Sequence, residues 1–489
     1  MNDNRPGYTP QAASSTPDRN DAPDRDDLSP EELDRSRRAT FGASVGFAID
    51  CYDIYLPVIA LAPAIVYFIP RHLDVGTLAL INGLVFAATL LGRPLGSILF
   101  GTIADRLGRK PATVWAMVGS GVGTALIVLL PGHDTIGIAA VVLLIGLRFL
   151  TGIFLGGQYT GAVPLAMETA PRQRRGLYGG LISMGFPIAF CATSAITTAL
   201  LAATAAPDGS IAAYIEWGWR VPFVLGAVAT FVFAWYFHRS VDESPAFAKV
   251  AAATNGPATE NVTAADGGPL RQLFRGRNAR SLRQVFVLMS GVWVLSNATS
   301  ASFPGTLRSL DGMTPGRATT IIVFYQLALI VLYPLAGMLS QRIGRRRFLA
   351  INGLVGATVA PLAYIAIVSN PGQGNLGFVI LAIVLVTTSI CAFGCTGSYL
   401  SERFPAEIRS TGYGVAYSAA VIIPAFYAVY ENWLTGLIGR PYETVVLYVV
   451  GGVLLLVGAL WGPETKNVDL RAVDTDRLGA PAKTEVSGA

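Results

Sequence analysis

Apolar segments of about twenty residues recur along the whole chain, and this feature limits its possible folds more than any other. Each segment is long enough to cross a hydrocarbon core of roughly 30 Å as a helix. Only 14% of the 489 residues are charged, against ~25% in an average soluble protein, so too few polar residues remain to cover a water-soluble fold. The sequence therefore predicts an all-α membrane protein with many transmembrane helices.

Twelve spans are predicted, six in each half of the chain. They are expected at 40–68, 77–103, 111–131, 136–168, 176–205 and 219–238, and at 284–305, 317–340, 348–369, 376–402, 412–434 and 443–462. Pro57 and Pro63 are predicted to kink or break the first span. The pattern Ser29-Pro30-Glu31-Glu32 is typical of a helix start.

The spans divide the chain into five predicted parts. These are a disordered cytoplasmic tail rich in Asp, Arg, Pro and Ser, a six-helix bundle, a cytoplasmic linker, a second six-helix bundle and a cytoplasmic tail, at 1–38, 39–238, 239–283, 284–465 and 466–489. With the N-terminus inside, the short inner loops hold twelve Lys and Arg residues and the outer connections five. The positive-inside rule then places both termini in the cytoplasm. We expect the protein in the plasma membrane, or in the inner membrane of a Gram-negative bacterium.

The composition and motifs also exclude several functions. The four cysteines lie in apolar spans without the spacing of a metal site or a disulfide framework. The sequence contains no phosphate-binding loop and no catalytic-triad motif. The net charge of +5 comes from loops between spans, so it indicates membrane orientation rather than nucleic-acid binding. We expect no enzyme activity, no metal and no nucleic-acid partner; the expected partners are a small-molecule substrate and the lipid bilayer.

The two halves of the chain repeat each other. The segment Gly101-Thr-Ile-Ala-Asp105-Arg106-Leu-Gly108-Arg109-Lys110 recurs 236 residues later as Gly337-Met-Leu-Ser-Gln341-Arg342-Ile-Gly344-Arg345-Arg346. Glu168 and Arg175 recur as Glu402 and Arg409. Parallel six-span repeats are typical of secondary transporters that bind substrate near mid-membrane between the halves.

Further stretches carry a family resemblance. They are Gly92-Arg93-Pro94-Leu95-Gly96, Arg148-x-x-x-Gly152-x-x-x-Gly156-Gly157, Gly218-Trp219-Arg220-Val221-Pro222-Phe223, Glu243-Ser244-Pro245-x-Phe247 and Glu402-Arg403-Phe404-Pro405. With the repeated loop motif, residues 38–466 resemble the major facilitator superfamily and, within it, the metabolite:proton symporters. The chain is also similar to proton-coupled sugar porters. It departs from the symporter pattern at Gln158, where glutamate is usual, and at Asp50, the first acid of a Glu-then-Asp pair.

The resemblance implies a monomer with two bundles that expose a central site alternately to each side of the membrane. It also implies a gate at the cytoplasmic ends of the helices, formed by Gly101, Asp105, Arg106, Gly108, Arg109, Glu168, Arg175, Arg342, Arg345, Glu402 and Arg409. The alternative is that these positive loops only set the orientation in the membrane. Because Gln341 replaces the loop acid in the second half, the latch there is expected to be weaker.

Four charged residues lie deep within spans. An ionised side chain at the bilayer centre costs at least ~2.5–3.5 kcal/mol, so it must pair or face a water-filled cavity. Asp53 lies ~20 Å along span 1 and Arg148 ~18 Å along span 4, whereas Asp50 and Arg93 each lie ~15 Å from the inner ends of their spans. These depths predict the pairs Asp53–Arg148 and Asp50–Arg93, with exchange between them left open.

These pairs are the predicted site of proton coupling. Burial favours the protonated form of a carboxyl group, whereas a nearby guanidinium favours the carboxylate. Movement of Arg148 away from Asp53 would therefore make Asp53 bind a proton, which is the role that the resemblance to sugar porters implies at this position. The alternative is a static buried ion pair. No cofactor is expected apart from the proton as coupling ion.

The predicted substrate contacts are the mid-span residues Gln158, Trp293, Asn297, Tyr325 and Gln326. Because arginine binds carboxylates with two hydrogen bonds, the two intramembrane arginines favour a carboxylate substrate. The prediction is thus a symporter that imports a small organic metabolite with a proton. Uniport or exchange, transport of betaine, proline or a sugar, and a membrane sensor that transports nothing remain as alternatives.

Overall fold

The computed structural model describes residues 29–70, 73, 75–254, 268–370 and 376–471. Within these residues the chain is helical, without a strand, and eleven helices are long and apolar enough to cross a membrane. A twelfth span is reached when Ala406–Ala425 and Val429–Ile438, which meet at 43°, are taken as one broken helix. This agrees with the predicted all-α membrane fold.

Twenty α-helices are described in chain order. They are α1 (Pro30–Leu56), α2 (Val75–Leu107), α3 (Arg109–Val128), α4 (His133–Ile136), α5 (Ala139–Thr169), α6 (Arg175–Ser183), α7 (Gly185–Thr204), α8 (Arg220–Ser240), α9 (Pro245–Thr254), α10 (Gly268–Leu273), α11 (Gly276–Asn297), α12 (Phe303–Ser309), α13 (Pro315–Ile343), α14 (Arg345–Val368), α15 (Leu376–Ile390), α16 (Phe393–Arg403), α17 (Arg409–Ala419), α18 (Ile422–Ala425), α19 (Tyr427–Ile438) and α20 (Glu443–Trp461). Single π or 3₁₀ turns lie at Pro57–Leu61, Ala62–Tyr67, Arg172–Arg174, Tyr214–Gly218, Ala298–Ser302 and Ala406–Ile408.

The start of α1 lies earlier than the predicted end of the N-terminal tail. Ser29 accepts a hydrogen bond from the Glu32 amide at 3.2 Å, and Glu32 accepts one from the Ser29 amide at 3.0 Å, which is a capping box. The predicted helix start is therefore confirmed. Residues 30–38, which were predicted as part of a disordered tail, belong to the helix instead. Residues 1–28 lie outside the described part of the chain.

Prolines interrupt the first and eleventh spans. After α1 the chain passes through a π turn that begins at Pro57 and a 3₁₀ turn that contains Pro63, which confirms the predicted break. The region of Pro424 forms only the short α18, and the spanning helix changes direction there. A proline has no amide hydrogen to donate, so the helix ladder cannot continue unbroken through it.

The region predicted as a linker, 239–283, is partly helical. It contains α9 and α10, and the seventh span begins at Gly276 rather than at 284. Because the first turns of α11 are rich in arginine, their hydropathy is low, and a prediction from hydropathy starts the span too late. Residues 255–267 of this region lie outside the described part.

The start of α1 and the last described residue, Arg471, lie together at one end of the helix bundle, which we call the terminal face. Arg471, beyond α20, lies 3.8 Å from Glu32 at the start of α1. One hydrophobic core joins both halves of the chain, from Ala43 on α1 to Leu455 on α20. The helices that hold the charged residues therefore pack around the boundary between the halves.

Candidate functional site

Asp53 and Arg148 form a buried pair that several hydrogen bonds hold in place. Arg148 donates from Nη1 to Asp53 Oδ1 at 3.1 Å and from Nη2 to the Asp53 carbonyl oxygen at 2.7 Å. Its Nε donates to Thr89 Oγ1 at 3.1 Å, and Thr124 donates to Asp53 Oδ1 at 3.0 Å. The depths in the sequence predicted the contact of Asp53 with Arg148; the structure adds Thr89 and Thr124, so the pair joins α1, α2, α3 and α5.

Glycines bring α2 and α5 close enough to place these side chains together. A Cβ atom added to Gly92 or Gly96 would overlap carbonyl oxygens of α5. One added to Gly152 or Gly156 would overlap carbonyl oxygens of α2. Small residues spaced four apart permit this contact of two backbones. The same motifs that carry the family resemblance therefore set the distance between Arg93 and α5.

Asp50 and Arg93 form the second predicted pair, one turn nearer the terminal face, and it is looser than the first. Arg93 Nη2 lies 3.5 Å from Asp50 Oδ2, and Asp50 Oδ1 has no hydrogen-bond partner. The Arg93 guanidinium lies over the Tyr159 ring at 4.7 Å and 6.0 Å from the Tyr417 ring centroid. Cation–π contacts with aromatic faces offset part of the cost of burying this charge.

A cavity of about 40 Å³ lies between the halves, beside Arg93. Both halves contribute to its wall, and most wall residues are aromatic. The lining residues are Phe47, Cys51, Ile54, Tyr55, Phe86, Leu90, Arg93, Ser183 and Phe186 from the first half, and Trp293, Ser296, Asn297, Tyr333, Phe393 and Tyr417 from the second. A cavity of this volume holds a few water molecules.

Two of the five predicted substrate contacts, Trp293 and Asn297, line this cavity. Gln158 is buried and donates to the Gly46 carbonyl oxygen at 2.8 Å, so it bridges α5 to α1. Tyr325 and Gln326 are also buried but are not part of the described cavity wall. The sequence missed the aromatic residues Tyr55, Phe393 and Tyr417, because no charge or motif separates them from ordinary core residues.

At the terminal face, Glu168 is the centre of a buried network that joins both halves. Arg109 donates to Glu168 Oε1 at 2.9 Å and to the Ala406 carbonyl oxygen at 2.8 Å. Arg409 and Ser244 also bond to the Glu168 carboxylate. Asp105 accepts from the backbone amides of Ser410 at 3.0 Å and Thr411 at 2.8 Å, so it binds the start of α17.

Glu402 is the centre of the matching network in the second half. Arg175 Nη1 and Arg345 Nη2 each lie 3.3 Å from Glu402 Oε1. Thr465 donates to Glu402 Oε2 at 2.7 Å. Gln341 accepts only one amide from the other half, that of Gly176 at 3.3 Å. The predicted weaker latch therefore has one backbone bond fewer than its counterpart at Asp105.

Two further acids, Glu243 and Glu464, hold the helices that follow the repeated loops. Glu243 accepts from the Arg109 and Lys110 amides at 3.1 and 3.0 Å, and Glu464 from the Arg345 and Arg346 amides at 2.8 and 3.2 Å. A carboxylate there satisfies the free amides of a helix start. The resemblance contained Glu243 but not Glu464; the recurrence of Glu-Ser and Glu-Thr after spans 6 and 12 could have indicated both.

The remaining predicted gate residues differ in position. Arg106 and Arg342 are exposed and do not belong to the buried networks. Gly101 packs against α17, where an added Cβ would lie 2.8 Å from the Thr411 Cα. Gly108 and Gly344 have φ values of 115° and 103°, a region that favours glycine, so the tight loop needs them.

The segment after α20 crosses the terminal face as a strap, residues 465–471. The Val468 carbonyl oxygen accepts from Arg175 at 2.8 Å, and Leu470 is fully buried. Arg471 donates to the Thr169 carbonyl oxygen at 2.9 Å. Residues 466–471 belong to the predicted cytoplasmic tail, 466–489, and pack against the bundle; the rest of the tail lies outside the described residues. With both networks, the strap closes the terminal face.

Solved structures and curated proteins resemble this chain over most of its length. The major facilitator superfamily proton:xylose symporter XylE of Escherichia coli, bound to 6-bromo-6-deoxy-D-glucose, superposes with a TM-score of 0.67 at 18% identity, over 91% of this chain and 99% of that chain. The inner membrane metabolite transport protein YhjE of Escherichia coli is 32% identical over 89% of this chain and 96% of its own length. The shikimate transporter of Escherichia coli is 27% identical over 88% of this chain and 95% of its own length.

With a helical bundle of two repeats around a central cavity, the protein is a multi-pass membrane transporter of the major facilitator superfamily. It is therefore not an enzyme. The chain belongs to the family described as sugar (and other) transporter, whose model matches residues 39–476.

Proposed function

We propose that the protein imports a small organic carboxylate together with a proton, by alternating access of the central cavity. The observation that carries the proposal is two buried carboxylate–arginine pairs, one of which presents Arg93 to the wall of a cavity between the halves. The excess of basic residues assigns the terminal face to the cytoplasm. The structure would then represent a state closed toward the cytoplasm.

Proton coupling requires a group that binds a proton in one state and an ion partner in another. Asp53 meets this requirement because its partner Arg148 is bonded to two helices besides its own, to α1 at Asp53 and to α2 at Thr89, so a rearrangement of the bundle changes their contact. Asp53 Oδ2 has no hydrogen-bond partner and is free to receive a proton. A buried ion pair contributes little net stability by itself, which disfavours a purely static role.

Uptake into vesicles tests this proposal. Purified protein is reconstituted in liposomes, and the outside is made more acidic than the inside. The accumulation of carboxylates, betaines and sugars is then compared with their accumulation in protein-free liposomes. We expect a carboxylate to accumulate above its equilibrium level only with the gradient. Asp53→Asn should abolish this accumulation while exchange of internal for external substrate continues. The control Asp311→Asn alters an exposed acid and should leave both intact.

The same measurement separates the alternatives. Equilibration without accumulation would indicate a uniporter or exchanger. Accumulation of betaine or proline, as the name of a 27% identical proline/betaine transporter suggests, would change the substrate but not the coupling. Unchanged accumulation by Asp53→Asn would assign the Asp53–Arg148 pair a static role.

A further inference from the structure

A second cavity, of about 420 Å³, lies at the terminal face between the end of α13, the start of α14, the end of α20 and the strap. Three of its wall residues are basic, Arg346, Arg347 and Lys466, and one is acidic, Glu464. It shares no wall residue with the central cavity. Its volume falls in the range of sites that bind small organic groups.

The acid of this second cavity does not neutralise the basic side chains. Glu464 accepts hydrogen bonds from four backbone amides, two at the start of α14 and two directly after itself, at 2.8 to 3.2 Å. Arg346 Nη2 donates to the Leu460 carbonyl oxygen at 2.8 Å, which is an uncharged partner. Within the described residues, the side chains of Arg347 and Lys466 have no acidic partner. Three basic side chains and one acid leave the wall with a net charge of +2.

The first half of the chain builds the same framework without two of these charges. Glu243 accepts from the first two amides of α3, as Glu464 does from those of α14. Where the second half has Arg347 and Lys466, the first half has Pro111 and Pro245. The repeated loop therefore forms without basic side chains at these positions. Orientation in the membrane needs basic residues in the loop, but it does not need them to converge on one cavity.

The apolar part of the wall lies at the contact of α14 and α20. It consists of Ile343, Ala350 and Leu460. The two helices run antiparallel, because Arg346 bonds to Leu460 near the terminal face, whereas a Cβ added to Gly452 would lie 2.2 Å from the Ala357 amide nitrogen further along. The cavity therefore joins basic side chains to the membrane-spanning surface of two packed helices.

Exposed apolar residues continue from the second cavity along both helices. Ile351 and Leu354 follow Arg347 by four and seven residues, so they share its face of α14, and each is about half exposed. Val457 and Leu460 share a face of α20 and are exposed to a similar extent. Because the helices are antiparallel, these two rows lie on the same side of their contact. Such a surface is suited to acyl chains.

We propose that this second cavity binds an anionic phospholipid from the leaflet at the terminal face. Its phosphate lies between Arg347 and Lys466, and its acyl chains lie along the exposed rows of α14 and α20. A basic pocket between membrane helices is suited to an anionic headgroup, and a guanidinium binds phosphate oxygens with two parallel hydrogen bonds. Trp461, 57% exposed at the end of α20, is a residue type enriched at the level of the headgroups. A zwitterionic phospholipid would bring its own cation, which this wall repels.

Lipid binding to the purified full-length protein tests the proposal. Delipidated protein in a neutral detergent is titrated with phosphatidylglycerol or with phosphatidylcholine of identical acyl chains, and the affinity of the first bound lipid is measured by native mass spectrometry. Each Lys or Arg near an anionic headgroup contributes roughly fivefold in affinity, so phosphatidylglycerol should bind at least about tenfold more tightly. Equal affinity for the two lipids would overturn the proposal, even if no variant folds.

Two double variants with the same change in net charge test the position of the site. Arg347→Gln with Lys466→Gln should lose most of the preference for phosphatidylglycerol. Arg174→Gln with Arg280→Gln removes two exposed charges from other parts of the terminal face and should keep the preference. Melting temperatures without lipid show whether both proteins are folded. An equal loss of preference in the two double variants would indicate a general effect of net charge and overturn the site.

Soluble anions separate a lipid site from a site for free phosphate. Inorganic phosphate or glycerophosphoglycerol, which is the headgroup without acyl chains, is added to the complex with phosphatidylglycerol at a concentration equal to that of the lipid. We expect neither to displace the lipid, because both lack the chains that lie along α14 and α20. Displacement by either soluble anion would identify a free-anion site and overturn the phospholipid as its occupant.

Discussion

At the scale of single residues, buried carboxylates that each bond several side chains connect the helices. Glu168 is fully buried and bonds Arg109, Arg409 and Ser244, which come from three separate parts of the chain. Removing one partner of a buried ion pair leaves the other charges uncompensated, at a cost of about 3–5 kcal/mol. Replacing an exposed acid costs far less.

We therefore expect Glu168→Gln to lower the melting temperature of the detergent-solubilised protein by several degrees. The amide of glutamine keeps one acceptor but places a donor against two guanidinium groups. Asp242→Asn is the control, because Asp242 pairs with Arg35 while its side chain is 52% exposed, and its melting temperature should stay within a degree of the parent. Equal melting temperatures for both variants would contradict the role of Glu168.

At the scale of helices, the contact between α2 and α5 is fixed by glycine. Gly96 faces the backbone of α5, where an added Cβ would overlap the Ile153 carbonyl oxygen, whereas Gly146 on α5 has open space around the same position. The two helices would have to separate to admit a methyl group at Gly96. That separation would also displace Arg93, which is one turn away on α2.

Gly96→Ala should therefore reduce both the folded yield and the affinity for the transported substrate. Gly146→Ala should match or slightly exceed the parent in melting temperature, because alanine is the better helix former. The two variants are compared by thermal unfolding and by ligand titration. A Gly96→Ala protein with unchanged stability and affinity would show that the helices do not need this close contact.

The charged residues and the repeats in the sequence predict the residues of the site well. Hydropathy predicts the ends of the helices less well. Asp50, Asp53, Arg93 and Arg148 could be paired from depth alone, because a buried charge must find a partner. Hydropathy starts the seventh span at 284 rather than at Gly276, because the first turns of α11 are rich in arginine. The cavity wall could not be predicted, because Tyr55 or Phe393 differs from a core residue only through the packing of distant helices.

At the scale of the molecule, the halves are joined at the terminal face by two networks and by the strap, residues 465–471. Opening toward this face requires these bonds to break. The strap connects the end of the second half to Arg175 and Thr169 of the first half. It therefore stabilises the closed state relative to a state open at the terminal face.

Weakening the strap should raise the population of the open state. Ser398 is buried and donates to the Arg175 carbonyl oxygen across the halves at 3.1 Å. In a protein from which the four natural cysteines have been removed, Ser398→Cys introduces a single thiol at this position. Its rate of reaction with a maleimide therefore reports how often the terminal face opens. The combined change Leu470→Ala and Arg471→Ala should speed this labelling severalfold. Asn467→Ala, an exposed position of the same strap, should not. Equal labelling rates would contradict the role of the strap.

The most direct test of proton coupling is the movement of protons that accompanies each transported substrate molecule. A pH-sensitive dye inside proteoliposomes is followed while labelled substrate enters, and protein-free liposomes are subtracted. The account predicts a fixed ratio of protons to substrate, and no gradient-driven accumulation by Asp53→Asn. Substrate entry without proton movement, or unchanged accumulation by Asp53→Asn, would contradict it.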